Sequence, residues 1–208
     1  MIPLDTLALF CAASLALGLA PGPDNLFVLT QSALHGRAAG ALVTLGLFSG
    51  VLIHTTAVAL GVAALFQTSA LAFNLLKGVG AAYLLYLAWH AFRAGATDLP
   101  TNDAPAHRPL ALYGRGVIMN VTNPKVAIFF LAFLPQFADP QRGPLTPQIL
   151  LLGALFVAAN LPVFGSIIWG AGALGERLRR SKRMQVIMNR VAGMVFTALA
   201  LRLLTAER

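Results

Sequence analysis

Apolar runs of about 20 residues recur along this chain, and that length is what ~30 Å of hydrocarbon requires of a helix. A chain in lipid must satisfy its backbone N–H and C=O groups internally, so it crosses as helices or as a closed barrel. No ten-residue alternation of apolar and polar residues points to a barrel. Hydrophobic residues make up 58% of the 208 and charged residues 11%, where a soluble domain carries about a quarter charged. The sequence therefore reads as all-α: one domain, 1–208, polytopic in the membrane, with six transmembrane helices. Asp5 stands where a cleaved signal would carry Lys or Arg, and no small-x-small cleavage site precedes a soluble domain. The first run is expected to stay as a membrane helix.

The spans are expected at about Leu4–Leu34, Ala41–Phe66, Leu71–Phe92, Arg115–Phe137 and Ile149–Leu174, with the sixth ending near Leu204. The last is cleanly apolar only over Val191–Leu201, so Arg190 and Arg202 are expected to snorkel to opposite surfaces. Gly36/Gly40 and Gly46/Gly50 have the spacing that lets helix backbones approach closely in lipid. Tyr83, Tyr86 and Trp89 read as an interfacial belt. Ala94–Leu112, with three prolines, reads as a linker between a first half, about 1–93, and a second, about 113–208.

Two of these runs are interrupted. Pro21-Gly22-Pro23-Asp24-Asn25 breaks the first and Asn123-Pro124-Lys125 the fourth. Proline and glycine end a helix by removing a donor and loosening the backbone. Placing Asp24 over Lys125 takes an offset of 101 residues, close to half the chain. Two halves of three spans each would insert in opposite directions, which makes an inverted 3+3 repeat with broken helices 1 and 4. Asn123 suits a helix N-cap and Pro124 the first helical position; Gly22 and Pro23 hold the matching places. Each break then starts a half-helix whose free N–H groups and positive dipole end face inward. As unbroken helix the first run would be about 46 Å long, too much for one straight crossing. Either it breaks within the membrane, or Leu4–Ala20 crosses alone and Asp24–Leu34 lies at the surface. A third interruption, Asn160-Leu161-Pro162, is expected in span five.

Asp24 and Lys125 are the only ionised residues well inside spans, where each costs roughly 2.5–3.5 kcal/mol. Facing one another at ~4 Å they would regain about 4 kcal/mol at an effective dielectric near 20. A zwitterion carries the complementary pair: an ammonium for Asp24, a carboxylate for Lys125 or a half-helix N-terminus. Asn25, Asn120, Asn123 and Asn160 supply further polar contacts. The alternative is a salt bridge that pins two helices. His54, inside span two, reads as a hydrogen-bonded packing residue or, with Asp24, as a candidate proton relay.

The net charge of +8 reflects topology rather than nucleic-acid binding. Loops one, three and five with their helix edges hold Arg37, Arg93, Arg108, Arg115, Arg177, Arg179, Arg180, Lys182, Arg183 and Arg190. The other side holds Lys77, Arg142, Arg202 and Arg208. Ten against four places those loops in the cytoplasm and both termini outside. Cys11 is the sole cysteine, so no internal disulfide forms and a dithiol carrier is excluded. Four scattered histidines argue against a metal or cation exporter, and no cofactor is expected. No HExxH or GxSxG motif marks an enzyme. A non-transporting assembly subunit stays open.

Pro21-Gly22-Pro23 with Gly36-Arg37 and Gly40, then Asn123-Pro124-Lys125 leading to Phe133-Leu134-Pro135-Gln136-Phe137, resemble the LysE/RhtB family of bacterial amino-acid exporters. The resemblance covers essentially the whole chain. It implies efflux of amino acids or close derivatives across the inner membrane, driven by the proton-motive force, and makes a homodimer plausible. Threonine, homoserine, homoserine lactone, leucine and lysine are family substrates. A single acid near the break favours the neutral ones.

Overall fold

A computed structural model describes residues 2–20, 22–68, 70–95, 108–180 and 182–205. No strand occurs among them. The first apolar run forms α1 (Leu4–Leu19) and α2 (Pro23–His35), which meet at 60°. Pro23 opens α2 where its missing N–H costs nothing, since the first helical N–H groups have no partner within the helix. Gly36 ends α2 at φ 85°, a left-handed conformation that favours glycine. From there α3 (Arg37–Thr68) and α4 (Ala70–Arg93) follow.

The second half opens with α5 (Pro109–Thr122). The linker therefore ends sooner than Leu112, because Pro109 takes the favourable first helical position. α6 (Pro124–Ile128) continues as a π-helical turn, Phe129–Phe133, and a 3₁₀ turn, Leu134–Phe137, and this segment meets α5 at 53°. α7 (Leu145–Arg180) and α8 (Lys182–Thr205) complete the chain.

One expectation fails here. Asn160-Leu161-Pro162 does not interrupt span five: α7 runs through Pro162 as continuous helix. A proline removes one ladder bond, and a full break in apolar surroundings would strand many more backbone groups. Ser166 Oγ donates to Pro162 O at 2.7 Å, giving that carbonyl a further bond. α7 extends to Arg180 and α8 begins at Lys182, so Arg177, Arg179 and Arg180 stand on the last turns of α7.

Two stretches, Arg37–Gly61 and Leu145–Ala171, are long and apolar enough to cross a membrane, or up to four if each bent pair counts as one span. Together they make a polytopic membrane protein. Exposed Leu60, Leu110, Ile118 and Trp169 give it the apolar exterior that lipid requires.

Two packing centres hold the breaks in place. Around the post-break segment of α6, rings from three elements interlock. Phe10 of α1 meets Phe137 edge-on with centroids 5.1 Å apart, and Phe156 of α7 meets Phe130 at 5.0 Å. On the other side α3 and α5 cross backbone to backbone. A Cβ on Gly46 would strike the Tyr113 carbonyl, and one on Gly116 the Val43 carbonyl. The Gly46/Gly50 spacing thus serves helix packing, with Gly50 making room for Asn120.

Candidate functional site

The last carbonyls of a helix have no partner within it. At the end of α1, Ala20 N–H still reaches Ala16 O, at 3.0 Å, but the carbonyls of Leu17, Gly18 and Ala20 need donors from elsewhere. Asn25, just past the break, donates from Nδ2 to Gly18 O at 2.6 Å. Lys125 supplies the others: its Nζ donates to Ala20 O at 3.2 Å and to Leu17 O at 3.4 Å. A lysine from the second half thus closes the break in the first. Gly22 lets it in, since a Cβ there would stand 3.0 Å from Nζ.

Lys125 is held by its own break. Asn123 caps α6, its Oδ1 accepting from Lys125 N–H at 3.0 Å, while its carbonyl accepts from Val126 and Ala127. Pro124 occupies the first helical position, so the lysine leaves the backbone one residue into a fixed turn.

Asp24 sits in the first turn of α2, 5% exposed, at the positive end of that half-helix. Its carboxylate faces the Lys125 ammonium and is flanked by Asn123 and Asn120. The two charges share the site without the close ion pair the sequence led us to expect. Asp24 and Lys125 make no ion pair within 4.0 Å. The ammonium is drawn instead to the carbonyl end of α1, where the helix dipole is negative.

Three polar atoms around Asp24 are buried without a hydrogen-bond partner: its own Oδ1, Asn120 Oδ1 and Asn123 Nδ2. Each such group costs about 1–3 kcal/mol. These groups lie beside the two buried charges, Asp24 and Lys125, with Asn123 and Asn120 next to the carboxylate.

The remaining candidates fall around this centre. Asn160 is fully buried and donates from Nδ2 to Phe156 O at 2.9 Å and to Ser14 O at 3.2 Å, so it ties α7 to α1 just before the break. Gly18 makes that approach feasible, because a Cβ there would overlap the Asn160 carboxamide. Asn160 Oδ1 is unpartnered too. His54 meets the site at one remove: its Nε2 lies 3.3 Å from Asn120 O, and its ring stacks on Phe130. Pro21 lies outside the described residues. Among the described residues no three of His, Cys, Asp and Glu gather as metal ligands. The carbonyls of Leu17 and Ala20 escaped the sequence reading, since only proximity in space marks them; the α1 break itself was the available signal.

Two bent helix pairs have their breaks beside buried charges, a feature shared with transporters that use discontinuous helices. The chain belongs to the family described as LysE type translocator, which matches residues 15–207. Such proteins move solutes rather than transform them. The chain is 33% identical over 199 residues to the homoserine/homoserine lactone efflux proteins of Salmonella typhi and Salmonella typhimurium, covering 95% of each chain. It is also 33% identical over 198 residues to an uncharacterized membrane protein of Vibrio cholerae, covering 95% of this chain and 96% of that one. No solved structure matches it.

Proposed function

We propose that this protein exports amino acids or close derivatives from the cytoplasm across the bacterial inner membrane. Neutral substrates of the homoserine, threonine, homoserine lactone and leucine type fit a site with one acid. Two relatives carry the name homoserine/homoserine lactone efflux protein, and the family is one of translocators. The observation that carries the reading is the buried meeting of Asp24, Asn120, Asn123 and Lys125 at two helix breaks, with two acceptors and a donor left open.

In this reading the bent pairs are spans one and four, α3 and α7 are two and five, and α4 and α8 are three and six. The halves form an inverted repeat, with both termini outside. The substrate arrives from the cytoplasmic side as a zwitterion. Its ammonium takes the open oxygens of Asp24 and Asn120, and its carboxylate takes Asn123 Nδ2 and the N-terminal amides of the half-helices. The halves then rock, and the site opens outward. An inward proton-motive force drives the cycle.

The test is purified protein in liposomes loaded with a panel of amino acids and homoserine lactones, with efflux followed under an imposed pH gradient. Gradient-dependent efflux of one or more neutral members is expected. Absence of efflux for the whole panel, with folded protein in the bilayer, overturns the proposal.

A further inference from the structure

Pro124 carries no N–H, so the bond that Asn120 O would accept from four residues on cannot form. The next three amides are committed elsewhere. Lys125 N–H goes to Asn123 Oδ1, and those of Val126 and Ala127 go to Asn123 O. Within its own segment the Asn120 carbonyl is left with the Asn123 N–H, at 3.1 Å. The other donor comes from α3, where His54 Nε2 lies 3.3 Å away. A carbonyl only accepts, so this contact is a hydrogen bond when Nε2 carries the proton. The same ring stacks on Phe130, with centroids 5.9 Å apart. His54 therefore touches the chain on both sides of the second break, Asn120 before it and Phe130 after it.

Gly50, one turn earlier on α3, meets the same residue. A Cβ there would come within 2.7 Å of both Cβ and Oδ1 of Asn120, and residues four apart share a helix face. That face of α3 gives Asn120 room for its side chain and a donor for its carbonyl. Asn120 is buried, its carboxamide stands beside the Asp24 carboxylate, and its Oδ1 has no donor. We infer that His54 is a positioning residue: by holding the Asn120 carbonyl it fixes the Asn120 carboxamide beside Asp24, and so sets how tightly the substrate ammonium is bound. The inference rests on the exporter reading above and adds to that site a residue that never touches the substrate.

The donor matters here more than the ring. Phe130 is also held edge-on by Phe129, with centroids 5.7 Å apart, and by Phe156 at 5.0 Å, so its place does not depend on the stack with His54. The Asn120 carbonyl has no such substitute close by. Thr122 Oγ1 donates to Ile118 O at 2.8 Å, and Lys125 Nζ is drawn to the end of α1. Without the imidazole N–H the end of α5 at the break hangs on one amide. A buried carbonyl short of a donor is costly in a membrane, and relieving it shifts the Asn120 backbone and carries the carboxamide away from Asp24.

The experiment follows initial efflux from liposomes holding the full chain, over a range of internal concentrations of L-homoserine, L-threonine and L-leucine. His54→Phe keeps an aromatic ring and loses the donor. It is expected to raise the half-saturating concentration roughly five- to tenfold and to change the maximal rate by less than about twofold. His54→Gln loses the ring and keeps a donor, and should return the half-saturating concentration to within about twofold of wild type. In an Asn120→Ala background His54→Phe should add little, because its effect passes through a carboxamide no longer there. Wild-type half-saturation in His54→Phe, no recovery in His54→Gln, or a fully additive effect in the Asn120→Ala background overturns the positioning role. Should both His54 variants misfold, imidazole ¹⁵N spectra of the chain carrying His35→Gln, His90→Gln and His107→Gln decide it: a protonated Nε2 supports the role and a bare Nε2 overturns it. If wild type exports no probe, the exporter reading falls and this inference with it; export by wild type with unchanged saturation in His54→Phe sinks the positioning role alone.

Discussion

Lys125 and Asp24 are the two ionised residues that hydropathy alone would place at membrane depth, and they have different surroundings. The lysine is satisfied by carbonyls of Leu17 and Ala20; the aspartate keeps one oxygen unpaired. That asymmetry separates what their removal does. Lys125→Met strips two buried carbonyls of their donor at about 1–3 kcal/mol each, so its melting temperature in detergent is expected to fall along with concentrative export. Asp24→Asn keeps shape and burial and removes the charge, so folded protein with export lost is the expected pairing. Export at the wild-type rate in both variants would remove the site assignment. Asn160→Leu gives up the bonds to Ser14 O and Phe156 O and is expected to cost about 1–3 kcal/mol per bond lost. A melting curve in detergent reads it, and unchanged stability would show that Asn160 does not fasten α7 to α1.

At the scale of elements, the same residue type has opposite consequences at different places. Pro23 and Pro124 each open a helix, because each stands at a first helical position with a cap before it. Pro162 sits well inside α7 and leaves it continuous. Pro162→Ala is therefore expected to retain export in the liposome assay. A large loss of transport would return a functional hinge to that position. The crossing of α3 and α5 depends on absent side chains: Gly46 and Gly116 face each other's backbones too closely for a Cβ. Gly116→Val must push α5 away from α3, and with it Asn120, so reduced expression of folded protein or loss of export is expected. Fluorescence size-exclusion profiles distinguish the two outcomes.

For the molecule as a whole, the sequence predicts sidedness from charge. Ten basic residues are assigned to one side and four to the other, which the positive-inside rule reads as cytoplasmic loops one, three and five. Cys11 is the sole cysteine, so a Cys11→Ser background is silent to thiol reagents. In it, Gln141→Cys and Gly95→Cys place probes at exposed positions in opposite loops. A membrane-impermeant maleimide is expected to label Gln141→Cys in cells with only the outer membrane opened, and Gly95→Cys only after the inner membrane is opened as well. The reverse pattern would invert the topology and the direction of transport drawn from it.

Much of this molecule was legible before any coordinates, because helix length, membrane residence and helix breaks are local matters. A run of about 20 apolar residues must be helical in lipid wherever it lies. Asn123-Pro124 must begin a helix because a carboxamide caps and a proline lacks the N–H that the first position does not need. The partners of Lys125 were not legible in that way. Its contacts lie 105 and 108 residues away on backbone carbonyls, and a carbonyl is the same atom in every residue. Pro162 failed for a related reason: whether a helix survives a proline depends on its surroundings, which packing decides. Sequence determined that the chain is helical and apolar and where two of its helices break; only the tertiary structure decided that one break is closed by the other's lysine, because that depends on how the helices meet in space.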